Sequence, residues 1–96
     1  MGQITKLGDL ISGLSEFDSE STIYASEPWT EQSDAMVARE PDAGGLPREA
    51  SDAGMKYFLE VSIAQEFVED WLASLNEQPV PSVVCRRVID YAINDA

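Results

Sequence analysis

GMKYFLEVSIAQEFVEDWLASL, residues 54–75, changes its period partway through, and that change decides the fold. Met55 to Val61 (MKYFLEV) is bulky, apolar and aromatic, the composition of a strand, and its apolar content predicts the central strand of a sheet. From Ser62 the spacing becomes helical: Ala64, Phe67, Val68, Trp71, Leu72 and Leu75 form one broad face, with Ile63 at its border. Ser62 with Gln65 three residues on reads as a capping box, and Asn76 as the stop. Glu66, Glu69, Asp70 and Glu77 gather on the face opposite the apolar one.

Downstream, Pro79 and Pro81 bracket a short connection. Ser82 can cap a last helix running to about residue 94. Val84, Val88, Tyr91 and Ala92 make one stripe of that helix, while Val83, Cys85, Ile89 and Ile93 add apolar surface beside it. A terminal helix that is apolar on more than one side is deeply packed or shared with another chain.

Upstream, Pro41 to Gly54 (PDAGGLPREASDAG) reads as an exposed, mobile loop. Ala35 to Arg39 and the run Thr22, Ile23, Tyr24 are strand candidates, joined through a turn at Glu27-Pro28-Trp29-Thr30 that folds Trp29 back onto the core. Leu7, Leu10, Ile11 and Leu14 recur at helical spacing, with Thr5 as N-cap and Gly8 and Gly13 weakening the helix. The expectation is one α+β domain over residues 1–96. A small antiparallel sheet of two to three strands is packed by an N-terminal helix and two C-terminal helices.

The charge is lopsided. Eighteen Asp and Glu stand against six Lys and Arg, for a net charge of −12, and there is no histidine. No base occurs between Leu7 and Ala38 or between Tyr57 and Cys85. Such a surface repels nucleic acid and anionic lipid and favours basic partners. Without histidine there is no Ser-His-Asp triad, Cys-His pair or histidine-ligated metal. Neither a phosphate loop nor a GxGxxG run is present. Asp18, Glu20 and Ser21 faintly resemble a calcium loop but lack its central Gly and terminal Glu. Cys85 is the single cysteine; it excludes an intramolecular disulfide and fits a reducing compartment.

No signal-peptide pattern opens the chain, and after Met-Gly-Gln a myristoylation signal would want Ser or Thr where Lys6 stands. No apolar run approaches the roughly 20 residues needed to cross a bilayer. A cytoplasmic location is expected. The composition predicts no enzyme, no cofactor and no metal.

The runs IYASEPWT, AMVAREPD and GMKYFLEVSIAQEFVEDW resemble a family of small acidic bacterial proteins, a domain of unknown function, over about residues 7–75. Trp29, Thr30, Lys56 and Tyr57 carry the resemblance as structural residues, and it implies no activity and no catalytic residue. In character the chain is also similar to the immunity proteins of toxin systems, whose carboxylates cover basic nuclease domains.

These readings converge on a small acidic inhibitor of a basic nucleic-acid-processing protein. A toxin immunity protein comes first and a phage anti-CRISPR protein or other DNA mimic second; a homodimeric assembly protein, pairing through residues 82–94, belongs to a different class. The expected partner-binding residues are Glu66, Glu69, Asp70 and Glu77, then Asp18, Glu20, Glu27 and Glu31. Like-charged Glu66 and Asp70 at i,i+4 cost the helix stability that a basic partner would return. Arg86 and Arg87 are too few to bind nucleic acid directly.

Overall fold

The computed structural model describes residues 4–94, so the Met1-Gly2-Gln3 start lies outside the described residues. The elements are β1 (Thr5–Lys6), α1 (Leu7–Ser12), a 3₁₀ turn (Leu14–Glu16), β2 (Thr22–Ser26), β3 (Asp34–Ala38), α2 (Arg48–Asp52), β4 (Met55–Glu60), α3 (Val61–Ala73) and α4 (Pro81–Asn94). The class is α+β, as expected, but the antiparallel sheet has four strands in the order β1-β3-β2-β4. The extra strand is two residues long, Thr5 opposite Ala35 and Lys6 opposite Asp34, too short to leave a periodic signal.

The strand over 55–61 is not central. β4 pairs only with β2 and forms an edge, while β2 and β3 occupy the middle. Its apolar content has another cause. The β2–β4 register shifts between Ile23 and Tyr24, so that Leu59 faces Ile23 but Tyr57 faces Tyr24. This bulge lets the consecutive residues Phe58 and Leu59 both enter one core.

That core fills the face covered by α1, α3 and α4. Leu7, Leu10, Ile23, Val61, Ala64 and Val88 are all buried there. The opposite face carries a smaller cluster of Tyr24, Met36, Ala50 and Met55. It is covered by the 39–54 crossover, which carries the chain from β3 past β2 to β4. The stretch read as a mobile loop therefore contains α2 and buries Pro47 and Ala50. Gly54, at φ +72°, makes the turn from α2 into β4 that a side chain would strain.

Tertiary hydrogen bonds replace the expected caps at the starts of α1 and α3. Thr5 is a strand residue; the first amides of α1 donate instead to Ser33 O (2.8 Å, from Leu7) and Glu31 O (3.0 Å, from Gly8). A side chain at Gly8 would meet Glu31 Cβ at 3.0 Å, so this close approach explains a glycine inside a helix. α3 starts one residue before Ser62, with Val61 N–H donating to Ser21 O at 3.0 Å. Gln65 donates its amide to Leu14 O (3.0 Å) and Phe17 O (3.2 Å), tying the 3₁₀ turn to the helix rather than closing a capping box. The helix ends at Ala73, before Asn76. α4 opens on Pro81, which needs no amide partner there, and Ser82 Oγ donates to Glu31 Oε1 at 3.3 Å.

Tyr24 is 1% exposed and its hydroxyl has no hydrogen-bond partner among the described residues. Burial pushes its pKa up; Thr22 pulls it partly back without reaching hydrogen-bond geometry, and Glu40 and Tyr57 push it further up. An unpartnered buried hydroxyl costs stability, so Tyr24→Phe should hold or raise it, by about 1 kcal/mol. Gln65→Ala, which removes the donor to Phe17 O and leaves Leu14 O only its bond from Phe17 N–H, should lower it by about 1–2 kcal/mol. Urea unfolding of both variants checks the pair; a clear loss in Tyr24→Phe would mean that the hydroxyl has a partner.

Candidate functional site

The eight carboxylates expected at the partner surface fall in two regions. Glu66, Glu69 and Asp70 are exposed on α3. Glu77 is exposed too, but the helix ends before it, so it leaves their face for the turn leading to α4. The segment carrying Asp18 and Glu20 runs beside the start of α3, fixed by the Gln65 and Val61 hydrogen bonds, and Glu69 shares a crevice with Ser15. Glu27 and Glu31 belong elsewhere, on the 27–33 loop that packs against α1 and α4.

Their availability differs. Asp18 is spoken for: one carboxylate oxygen accepts Glu20 N–H at 2.9 Å and the other pairs with Arg39 at 3.3 Å. That occupancy, a backbone turn plus an ion pair, is what the faintly calcium-like run builds. Glu31 is half-buried and accepts from Ser82. The remaining ion pairs among the described residues are Lys6–Asp34 (3.2 Å) and Arg48–Asp52 (3.9 Å), both exposed and worth little individually. None involves α3, so Glu66, Glu69 and Asp70 face water with no cation within pairing distance among the described residues. No group of three Asp, Glu or Cys side chains among the described residues could hold a metal ion.

Two grooves flank Glu31. One, of about 380 Å³, runs between the start of α1 and the start of α4 and is lined by Lys6, Asp9, Ser12 and Ser82 among others. The second, also about 380 Å³, lies between the 27–33 loop and α4 and is lined by Trp29, Arg86, Ile89, Asp90 and Ile93. Trp29 forms its wall because it is held from behind. Its indole N–H donates to Ala25 O at 3.2 Å, and its ring meets Phe58 edge-on, 4.9 Å between centroids at 85°. It folds back onto the core, as the turn chemistry predicts, yet keeps one side on the groove. Trp71 is half-buried on α3. Between the last two helices, Phe67 stacks on Tyr91 at 4.4 Å, and the Arg87 guanidinium lies 5.1 Å from the Phe67 ring centre.

The second groove has no local signature in the sequence. Trp29 and α4 lie far apart in the chain, and only the hairpin between β2 and β3 brings them together. The one available signal was the surplus apolar surface of residues 83–93.

Cys85 is fully buried. Burial, reinforced by Glu31, pushes its thiol up to about 11, so it is protonated at neutral pH and behaves as a small core residue.

Comparison with protein families, with curated proteins and with solved structures finds no match for this chain.

The unfolded thiol has the ordinary value of 9.0, so between 9.0 and about 11 the unfolded chain releases a proton that the folded chain keeps. Stability should therefore be whole below that window and fall through it as pH rises, by about 2–3 kcal/mol at the top. Cys85→Ala should show a shallower alkaline decline in urea unfolding. In the folded wild type the thiol should resist a thiol reagent at about pH 8 and react once denatured; rapid reaction of the native thiol would contradict its burial.

Proposed function

We propose that this chain is a small non-enzymatic inhibitor that binds and blocks a basic, nucleic-acid-processing protein, with a toxin immunity protein as the first reading. The observation that carries it is the exposed trio Glu66, Glu69 and Asp70 on a helix without a single base. A helix serving only as a solvated surface gains from mixing signs, since i,i+4 pairs of opposite charge stabilise it. Holding like charges together forgoes that gain, and a cationic partner restores it.

The physics of such a partnership is specific. A nuclease must present positive potential to its substrate. An acidic surface is steered to the same place, associates fast and excludes nucleic acid. Glu20 and Glu77 lie on the segments flanking α3 and extend the negative surface, to which Asp18 adds less because Arg39 pairs with it; Glu27 and Glu31 form a second contact region. On this reading the chain acts in the cytoplasm on a protein, and neither nucleic acid nor membrane is its direct ligand.

Three charge reversals, Glu66→Lys, Glu69→Lys and Asp70→Lys, test the reading. The tagged wild-type chain, exposed to lysate of its host, should retain one basic nuclease that elutes with rising salt and loses activity when the chain is added back. The triple variant, folded by circular dichroism, should bind that nuclease at least about tenfold more weakly. Retention of an RNA-guided nuclease complex instead would favour the DNA-mimic reading. Equal binding by the triple variant would remove α3 from the interface.

A further inference from the structure

We infer that the outer face of α4 is a self-complementary docking surface for a second copy of the same chain, the two helices running antiparallel about a two-fold axis level with Val88. The inward face of α4 is settled: Cys85, Val88 and Ile89 are buried in the main core. Among the described residues, nothing covers the outward face. Val83 and Ile93 are 46% and 59% exposed, and Arg86 and Asp90 are exposed between them. At about 100° per residue these four side chains fall on one narrow stripe.

The order of that stripe identifies its occupant. Arg86 and Asp90 stand two residues either side of Val88, and Val83 and Ile93 five either side. Antiparallel pairing about that level therefore sets Arg86 of each copy beside Asp90 of the other and Val83 beside Ile93. An isologous two-fold contact requires this self-complementarity, with residue i meeting j and j meeting i. Arg86 and Asp90 do not satisfy each other within the helix, where they form no ion pair; a base N-terminal to an acid is the less favourable i,i+4 order.

Two further observations point the same way. Residues 81–94 hold Arg86 and Arg87 against Asp90 alone, so on a chain of net charge −12 this helix is a surface that another copy can approach. The groove between the 27–33 loop and α4 takes in Arg86, Asp90 and Ile93 of the stripe, and Trp29 and Ile89 add apolar surface to the contact there.

The size of the contact sets its strength. α4 has 14 residues, giving a helix about 21 Å long. One such helix pair sits at the small end of specific interfaces, below about 1,200 Å², and makes a reversible dimer rather than an obligate one. This inference does not rest on the inhibitor reading, because it uses none of the acidic residues assigned there.

Sedimentation equilibrium at about 0.15 M salt, where the long-range repulsion between the acidic chains is screened, tests it up to about 1 mM chain. The wild type should pass from monomer to dimer as concentration rises. Arg86→Asp and Asp90→Arg, each placing like charges opposite each other twice, should each raise the midpoint concentration at least about tenfold. Mixed one to one, the two variants should recover association as a heterodimer, and the double variant carrying both changes should recover it alone. Misfolding cannot produce that rescue. A wild type that stays monomeric throughout, single variants that associate as the wild type does, or a mixture that stays monomeric would each overturn the proposal.

Discussion

Everything in this molecule is arranged around the burial of β2. Thr22, Ile23, Tyr24 and Ala25 are all buried, with β3 on one side, β4 on the other and a hydrophobic layer above and below. A strand in that position cannot turn to water for any of its backbone groups, so both neighbours must be in register and both faces must be roofed. Three helices roof one face. The other is left to the crossover between β3 and β4, which is why a segment rich in Gly and Pro folds into a helical turn and buries Ala50 instead of remaining a loop. In a chain of 96 residues there is no spare layer, and each covering element serves the same strand.

How much of this was legible depended on whether the signal was local. The amphipathic pattern of 61–73, the strand character of 22–26 and 34–38 and the helical spacing of 81–94 stand in the sequence, because side-chain periodicity records which face is buried. The position of β4 at the edge does not, since coverage by helices and crossover gives an edge strand the composition of a central one. β1 was invisible because two residues have no period. The caps failed together for one reason: Thr5, Ser62 and Gln65 are capable capping residues. The chain satisfied the helix starts with carbonyls from Ser33, Glu31 and Ser21, partners distant in sequence.

The candidate partner surface divides along the same line. That Glu66, Glu69 and Asp70 share an exposed face follows from helical geometry and was readable. That Glu77 drops off this face follows from where the helix stops, and that Asp18 is already engaged by Arg39 follows from a contact 21 residues away. The groove under Trp29 exists only because the β2–β3 hairpin delivers that indole to α4. Composition alone thus marks the sign of the surface, while its division into an unpaired helix face and a second, partly hydrogen-bonded loop region is a product of topology.

The bulge in β4 also governs how the sheet ends. An edge strand displays a row of unsatisfied amides and carbonyls, a template on which further strands can add and grow into fibres. Here one edge is only two residues long, and the other is kinked where Phe58 turns inward and carries exposed Lys56 and Glu60. Neither offers a long, flat, neutral ladder. Open-ended growth through the sheet is thereby disfavoured at both margins.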